Sequence, residues 1–431
     1  MKHTLHTTKL INGAEILFVN VPGSTSYYFN TIVNAGYNYA TKDKYELPHL
    51  LEHLAFEGSA NYPKTGQMAY QLEKLGGWYN ATTSDEDIRY FLVGSIKDYK
   101  IITELGVEQY SKPLFKTESI VKQKMVIARE LERYINEDSW RVRDNIYTTL
   151  FPDKLNFAKD CIDTLKNITQ ADIMNFYKTT HTTANTVFVV SGDLPDKTRS
   201  EIVAIIEANL VGLPRGKKLN AQRRLRDNYN YQIKTMSSKH KNQIFYGVIF
   251  IKEPYSADIN YHAACEVAEA IYNKGNSSRI FTMARASGLA YDVDSGISIV
   301  KDYSDLYIYG LGDPHLVGKL FELCIKELVE ITKGNFSPAE LERAIGYQAG
   351  EYDTEYETSR DLADWYGPMF AANEAMYSPA DFSAAIRKIR KQDVVKVLAS
   401  FVKSDNWLVS LVGHGAETLK PSFEEIIAKY L

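Results

Sequence analysis

The chain has 431 residues, of which 45% are hydrophobic and 24% are charged, a composition typical of globular proteins. This length exceeds the size at which a single hydrophobic core stops growing, so we expect two domains. The net charge of −4 gives no reason to expect nucleic acid or an anionic membrane as a partner. Three scattered cysteines, the lack of an apolar leader and the lack of any run of about 18 apolar residues favour a reduced cytoplasmic protein without a membrane span.

The first informative element is the segment "LPHLLEHLAFEGS", residues 47–59. Pro48 suits the first turn of a helix, where its missing N–H is not needed. His49 and His53 are four residues apart, so both imidazoles project from one helix face, with Glu52 beside them. Two neutral imidazoles can share a zinc ion, and a neighbouring carboxylate can accept a proton from water. The pattern arises by chance with a frequency on the order of one in a hundred, and a catalytic zinc needs a third protein ligand.

A strand pair and a long helix follow along the chain. The segment "GGWYNATTSDEDIRYFLVGS" predicts two strands around a polar turn, the first over residues 79–83. The segment "ESIVKQKMVIARELERYINED", residues 118–138, has apolar residues at helical spacing. Glu130 lies beside the apolar face of this predicted helix, far downstream of His53 in the sequence. On spacing alone, Glu130 is an ordinary solvated glutamate.

The two halves of the chain resemble each other at an interval of about 220 residues. Asp172 precedes Gly192 by the same interval by which Asp393 precedes Gly413, and in both places a helix pattern leads into an apolar strand that ends in the glycine. The pattern of strand, turn, strand and long helix that starts at "GGWY" recurs from "GLAY". We therefore predict an α+β protein in which one domain type occurs twice, each with an antiparallel-rich sheet packed against helices.

The predicted join between the halves is the segment "GLPRGKKLNAQRRLRDN", residues 212–228. It is polar and basic and contains Pro and Gly, as linkers do. A basic arm for nucleic acid is the alternative interpretation, and a solvated linker is the one we prefer. The expected domains are residues 1–211 and 229–431.

The motif "HLLEH", followed by Glu130 at its particular distance from His53, resembles the pattern of the pitrilysin and mitochondrial processing peptidase family. These are the inverted-motif zinc peptidases, with H-x-x-E-H where thermolysin-like enzymes have H-E-x-x-H. The resemblance implies that His49, His53 and Glu130 are the ligands of one zinc ion per chain. It also implies that Glu52 is the general base of peptide hydrolysis.

Two more segments resemble the same family. In "LEKLGGWYNATTSDED", the resemblance implies that Asn80 and Ala81 line an edge where the substrate backbone pairs. In "SSRIFTMARASGLAYDVDSG", it implies that Arg285 and Tyr291 reach the active site from the second half. The family is built by duplication, so the first domain would bind zinc, the second would contribute substrate-binding residues, and the chain would form half of a clam-shell.

Four features depart from the family pattern. Gln123 stands where the family usually has a second glutamate, which replaces a negative charge near the zinc with an amide. Glu46 and Pro48 stand where small residues are usual. The spacing from Arg285 to Tyr291 is one residue shorter than in the family. The second half keeps only His262 of the metal motif. One metal site per chain is therefore expected, with activity that Gln123 weakens or tunes.

The resemblance implies a mechanism and partners. Glu52 would accept a proton from the attacking water and pass it to the leaving amine, and Tyr291 would donate a hydrogen bond to the developing oxyanion. Two chains would enclose a chamber for extended peptides or unfolded segments, as a homodimer or as a heterodimer with a related chain. The acidic turn of Asp85, Glu86 and Asp87 offers candidate carboxylates to orient the imidazoles, but a solvated turn is the interpretation that we prefer for at least two of them.

Three alternatives to an active zinc peptidase stay open. The chain could be an inactive partner subunit of the same family. It could be a peptide-binding chamber that holds zinc with little turnover. Two histidines and a glutamate also suit non-haem iron, but that site would leave the position of Glu52 and the other family matches unexplained.

Overall fold

The computed structural model describes residues 2–151, 158–220, 232–240, 242–252, 256–289, 292–300 and 303–431. By its contacts the chain divides into two compact units, neither of which is continuous in sequence. Unit 1 comprises Met1–Glu132, Lys159–Gln222 and Tyr356–Met376. Unit 2 comprises Arg133–Ala158, Arg223–Glu355 and Tyr377–Leu431. None of the helices in the described ranges combines the length and the apolar character that crossing a bilayer requires.

The strands are, in chain order, β1 (Thr4–Lys9), β2 (Glu15–Asn20), β3 (Ser26–Val33), β4 (Trp78–Thr83), β5 (Ile88–Ser95), β6 (Thr186–Gly192), β7 (Gln232–Met236), β8 (Ile244–Lys252), β9 (Asp292–Ile299), β10 (Ser304–Gly312) and β11 (Trp407–Gly413). The helices are α1 (Leu47–Leu54), α2 (Gln67–Glu73), α3 (Tyr99–Ser111), α4 (Thr117–Ile135), α5 (Asp138–Leu150), α6 (Ala158–Leu165), α7 (Gln170–Thr180), α8 (Asp196–Asn209), α9 (Ile259–Tyr272), α10 (Arg279–Ala286), α11 (Val317–Thr332), α12 (Pro338–Thr354), α13 (Ser359–Ala372), α14 (Pro379–Ile386), α15 (Lys391–Phe401) and α16 (Ala416–Tyr430).

The sheets of the two units have the same topology, which confirms the predicted α+β class and its repetition. In unit 1 the strand order is β1-β2-β6-β3-β5-β4, and in unit 2 it is β7-β11-β8-β10-β9. Apart from the additional β1, the strands correspond one to one. Each sheet has one parallel pair, β2 with β6 and β7 with β11, and is otherwise antiparallel.

The sheet of unit 1 is buried on both faces. Along β2, Ile16 and Phe18 belong to one apolar cluster, while Leu17 and Val19 belong to another, as the alternation of a strand requires. Helix α3 packs against β3 and β5, and α13 packs against β2, β3 and β6. Since α13 comes from late in the sequence, the chain returns to unit 1 to cover this sheet.

Unit 2 uses a helix from the first half of the chain in the same way. Helix α5 packs against β8 and β11, although it lies only a few residues after α4 of unit 1. Val142 and Ile146 of α5 are buried against Leu408 and Val412 of β11. Each unit therefore contains one helix from the other sequence half. The predicted domain boundaries at 211/212 and 228/229 stay predictions, and residues 221–228 of the linker lie outside the described ranges.

A neutral histidine in the core of unit 1 makes stability depend on pH. His181 is 1% exposed, its ring stacks on Tyr110, and its Nε2 lies 3.1 Å from the Tyr90 hydroxyl. Burial lowers the pKa of His181 to about 3, from 6.5 in an exposed chain. Below pH 6.5 the unfolded chain therefore binds a proton that the folded protein does not, and stability falls with pH by up to about 1.4 kcal/mol per pH unit.

We expect the substitution His181→Phe to remove this pH dependence, because phenylalanine fills a similar volume and does not titrate. Urea denaturation of both proteins between pH 7 and pH 4 measures the effect. The wild-type free energy of unfolding should fall more steeply, by up to about 1.4 kcal/mol per pH unit, while the variant is less stable at pH 7. Parallel pH profiles would show that His181 is protonated in the folded protein.

Candidate metal centre

Helix α1 presents both motif histidines on one side. Leu50, Leu51 and Leu54 are buried, with at most 1% of each residue exposed, and they fix the rotation of the helix against the core of unit 1. Pro48 lies in the first turn, as predicted. His49 and His53 lie on the remaining face, with ring centroids 4.8 Å apart.

Helix α4 brings the third predicted ligand to these rings. Oε2 of Glu130 lies 3.8 Å from Nε2 of His49 and 3.8 Å from Nε2 of His53. One ligand atom from each of the three residues lies within 4.8 Å of the other two, and within the described ranges they are the one such group of three or more His, Cys, Asp or Glu side chains. The three side chains are 12%, 20% and 38% exposed, so the cluster is shielded but reachable from solvent.

The orientation of His49 is fixed by a buried carboxylate that immediately precedes α1. Nδ1 of His49 donates to Oε2 of Glu46 at 2.9 Å, and the Glu46 side chain is only 2% exposed. With the hydrogen on Nδ1, the lone pair of Nε2 is free to bind a metal. Burial lowers the pKa of His49, but the hydrogen bond to Glu46 and the nearby carboxylates outweigh burial and raise the pKa above 6.5. Glu46, noted above only as a departure from the family pattern, is therefore part of the site.

His53 is held by an amide in place of a carboxylate. Nδ1 of His53 lies 3.0 Å from Oε1 of Gln123 on α4. Gln123 is buried, and its Nε2 donates to Oε1 of Glu57. The amide therefore bridges the imidazole and a second buried carboxylate, a connection that the sequence did not reveal.

The predicted general base also has a defined orientation. The hydroxyl of Thr83, the last residue of β4, donates to Oε2 of Glu52 at 2.5 Å. One oxygen of Glu52 is thereby engaged, and the carboxylate is held beside the two histidines of the same helix. Thr83 was missed in the sequence because no local pattern relates a strand residue to a residue of a distant helix.

Strand β4 lies at the edge of the unit 1 sheet, where it pairs with β5 and, among the described residues, with no other strand. Asn80 is exposed and Ala81 is buried. The amide oxygen of Asn80 accepts a hydrogen bond at 2.9 Å from the backbone N–H of Ala81. The edge strand that carries Asn80 and Ala81 therefore ends at Thr83, whose hydroxyl binds Glu52.

The donor set fits zinc. A tetrahedral zinc ion with bonds of about 2.0–2.1 Å places its ligand atoms about 3.3 Å apart, close to the two 3.8 Å distances between Glu130 and the histidines. Two imidazole nitrogens and one carboxylate oxygen make up the protein ligand set of a catalytic zinc site, which leaves a position for water. Both Nδ1 atoms are already engaged in hydrogen bonds, so Nε2 is the nitrogen of each ring that is available to bind a metal.

The remaining predicted residues, Arg285 and Tyr291, come from the second half of the chain. Arg285 is exposed on α10 of unit 2, with its guanidinium 5.2 Å from the Phe281 ring centroid. Tyr291 lies outside the described residues, so its predicted role stays a prediction.

The acidic turn, which was a candidate for this role, does not orient the imidazoles, because Glu46 and Gln123 occupy both Nδ1 atoms. Asp87 instead pairs with Arg89 at 2.9 Å, and Glu86 accepts a hydrogen bond from Asn38.

Comparison with protein families agrees with this geometry. Residues 16–158 match the family described as "Insulinase (Peptidase family M16)", and residues 167–346 match "Peptidase M16 inactive domain". An "Uncharacterized zinc protease" of Rickettsia felis is 25% identical over 418 residues, 94% of this chain and 97% of the relative. The "Mitochondrial-processing peptidase subunit beta" of Saccharomyces cerevisiae is 22% identical over 441 residues, 98% and 94% of the two chains.

Solved structures show the same fold. A protease from Helicobacter pylori superposes with a TM-score of 0.84 at 18% identity, covering 95% of this chain and 100% of the other. A peptidase M16 inactive domain from Pseudomonas fluorescens has the same TM-score at 19% identity, covering 95% and 98%. The fold is thus that of the two-domain M16 peptidases. With its two matched regions and its inverted motif, the chain belongs to peptidase family M16, the pitrilysin and mitochondrial processing peptidase family.

Proposed function

We propose that this protein is a zinc-dependent endopeptidase that hydrolyses extended peptides or unfolded segments. The observation that carries the proposal is the convergence of His49, His53 and Glu130, with both Nε2 atoms free, beside an oriented Glu52. Zinc bound by these three residues would supply Lewis acidity, which activates water near neutral pH and polarises a carbonyl group.

The side chains of the protein would do the rest of the chemistry. Glu52 has one oxygen bound to Thr83, so its other oxygen can accept the proton of the attacking water. The same carboxylate can then deliver that proton to the nitrogen of the leaving amine. Glu46 and Gln123 keep the two imidazoles in place during these transfers. From the family resemblance we also propose that Tyr291 and Arg285 contribute from the second half, Tyr291 as a donor to the oxyanion.

The free edge of β4 supports an extended substrate. An incoming peptide strand can pair with the edge of a sheet through main-chain hydrogen bonds, which gives weak sequence preference. The Asn80 side chain occupies the N–H of Ala81, and it would have to turn away when a peptide pairs there. A sequence-tolerant endopeptidase is the activity that such a surface serves.

A second chain is part of the proposal. Two relatives are named subunits alpha and beta of the mitochondrial-processing peptidase. This chain carries the metal cluster and the segment with Arg285 and Tyr291, so a homodimer would suffice to form a chamber, and a heterodimer with a related chain is the other arrangement. Sedimentation of the purified protein, alone and with candidate partner chains, distinguishes the two.

Metal removal tests the proposed function directly. We expect the dialysed protein to contain about one zinc ion per chain, since one three-ligand cluster occurs among the described residues. Treatment with a chelator should abolish cleavage of an unfolded polypeptide such as reduced casein, and added zinc should restore it. Mass spectrometry measures the metal, and a fluorogenic peptide measures the cleavage. Zinc without cleavage would support a peptide-binding chamber, and iron in place of zinc would overturn the zinc assignment.

A further inference from the structure

Glu57 is a buried carboxylate that the mechanism above does not use. It follows α1 by three residues and is 5% exposed. Its oxygens accept hydrogen bonds at 2.9 Å from Lys122 Nζ and at 2.9 Å from Thr65 Oγ1. A third donor is Nε2 of Gln123, whose other amide atom faces His53.

The charge state of Glu57 determines the direction of this chain of hydrogen bonds. Burial raises the pKa of Glu57, but the hydrogen bonds from Lys122, Thr65 and Gln123 outweigh burial and leave the pKa below 4.5. An ionised carboxylate can only accept hydrogen bonds, so Gln123 must present its NH₂ group to Glu57. The amide oxygen of Gln123 is then the atom that faces Nδ1 of His53.

The orientation of the amide in turn determines the tautomer of His53. A carbonyl oxygen can only accept, so Nδ1 of His53 must carry the ring hydrogen. A neutral imidazole has one N–H, and Nε2 therefore keeps its lone pair. That nitrogen is the one that lies 3.8 Å from Glu130.

We infer that Glu57 is a positioning residue for the metal site, which acts through Gln123 to hold His53 in the tautomer that binds metal through Nε2. This inference rests on the proposed zinc site. His49 obtains the same constraint directly from Glu46. The negative charge that the glutamine removes from position 123 is present one hydrogen bond farther from the imidazole, on Glu57.

The substitution Glu57→Gln tests the inference without changing the shape of the side chain. The amide introduced at position 57 can donate as well as accept, so it no longer holds the amide of Gln123 in one orientation. Gln123 can then turn over and offer its NH₂ group to His53, which favours the tautomer with the hydrogen on Nε2. We expect zinc affinity, measured by competition with a chromophoric chelator, to fall about 10–100-fold, as for other partners of metal-bound histidines. Unchanged affinity would overturn the inference.

A charge exchange separates positioning from mere structural support. The double variant Glu57→Gln, Gln123→Glu places a carboxylate in direct contact with His53 and an amide behind it. We expect it to regain most of the zinc affinity that Glu57→Gln loses. Failure of the double variant to regain affinity would show that Glu57 acts only through packing or stability.

Glu108→Gln is the matched control. Glu108 is 3% exposed, pairs with Lys112 at 3.1 Å and binds the backbone and side-chain nitrogens of Asn61, outside the metal cluster. Its replacement should leave zinc affinity at the wild-type value. An equal loss of affinity in this control would attribute the effect of Glu57→Gln to the loss of any buried carboxylate, and would overturn the inference.

The tautomer can also be read in the wild-type protein, which keeps the test valid if Glu57→Gln does not fold. Histidine ¹⁵N chemical shifts of the metal-free protein, assigned with a His53→Asn variant, should show the hydrogen of His53 on Nδ1. A hydrogen on Nε2 would overturn the inference. A wild-type protein that binds no zinc would instead overturn the proposed function, whereas zinc binding and cleavage with an insensitive Glu57 would overturn only the role of Glu57.

Discussion

Replacement of Glu52 by glutamine is expected to lower the turnover number by about 10²–10⁴-fold, the range that general acid–base catalysis contributes. Glutamine has the shape of glutamate but cannot accept the proton of the attacking water at neutral pH. The hydrogen bond from Thr83 can persist, because the amide still offers an oxygen. Cleavage of a fluorogenic peptide and zinc content should be measured on the same preparation, and zinc should stay at the wild-type level.

Thr83→Val provides a graded comparison. It removes the hydroxyl that holds Glu52 while leaving the carboxylate itself. We expect a smaller loss of turnover than for Glu52→Gln, because the base is present but less well oriented. A Glu52→Gln variant that cleaves peptides at the wild-type rate would show that another group accepts the proton. A variant that loses zinc as well would mean that Glu52 supports the ligands and is not simply the base.

The parts of the structure that were predictable depend on short-range patterns. The pattern that leads from Asp172 to Gly192 recurs from Asp393 to Gly413, and it correctly predicted two domains of one type. Both apolar runs form central strands, β6 and β11. The spacing of His49 and His53 is enough to place both rings on one helix face. The distance along the chain to Glu130 carried information only through the family resemblance, since any exposed glutamate of α4 looks alike in isolation.

The interactions around the ligands were harder to predict from the sequence, because they join different helices, strands and loops. Glu46 had a usable signal: it precedes His49 by three residues, a spacing that allows contact at a helix start. Thr83 and Glu57 had none, since a strand end and a loop were brought to α1 and α4 by tertiary packing. The acidic turn at 85–87 was a candidate imidazole partner because of its charge. The hydrogen-bond partners of both imidazoles lie elsewhere.

The helix that each unit takes from the other half of the chain was also not predictable from the sequence. The continuous apolar runs correctly indicated the strands β6 and β11, and every residue of both strands is buried, as is typical of strands covered on both faces. Such strands need a helix on each side, but their sequence does not say which one. Helix α13 supplies this cover in unit 1 and α5 supplies it in unit 2, so both come from the opposite half of the chain.

Glu130→Gln is expected to remove zinc, and cleavage with it. Glu130 is the one negatively charged ligand in the cluster, and the two imidazoles that remain cannot hold a catalytic zinc ion. Since changing a mere partner of a ligand costs about 10–100-fold in metal affinity, loss of the ligand itself should cost more. The Glu130 side chain is 38% exposed, so the amide can be solvated and the fold should persist. Metal content after dialysis and chelator competition measure the effect.

Glu132→Gln is the matched control, because Glu132 is exposed on the same helix two residues later. It should keep one zinc ion and full cleavage. Comparison with Glu52→Gln then separates the two glutamates that lie beside the histidines. Both variants should lose most or all cleavage, but of the two only Glu52→Gln should retain zinc. Full zinc content in Glu130→Gln would mean that another side chain completes the site, and the assignment of Glu130 as the third ligand would be wrong.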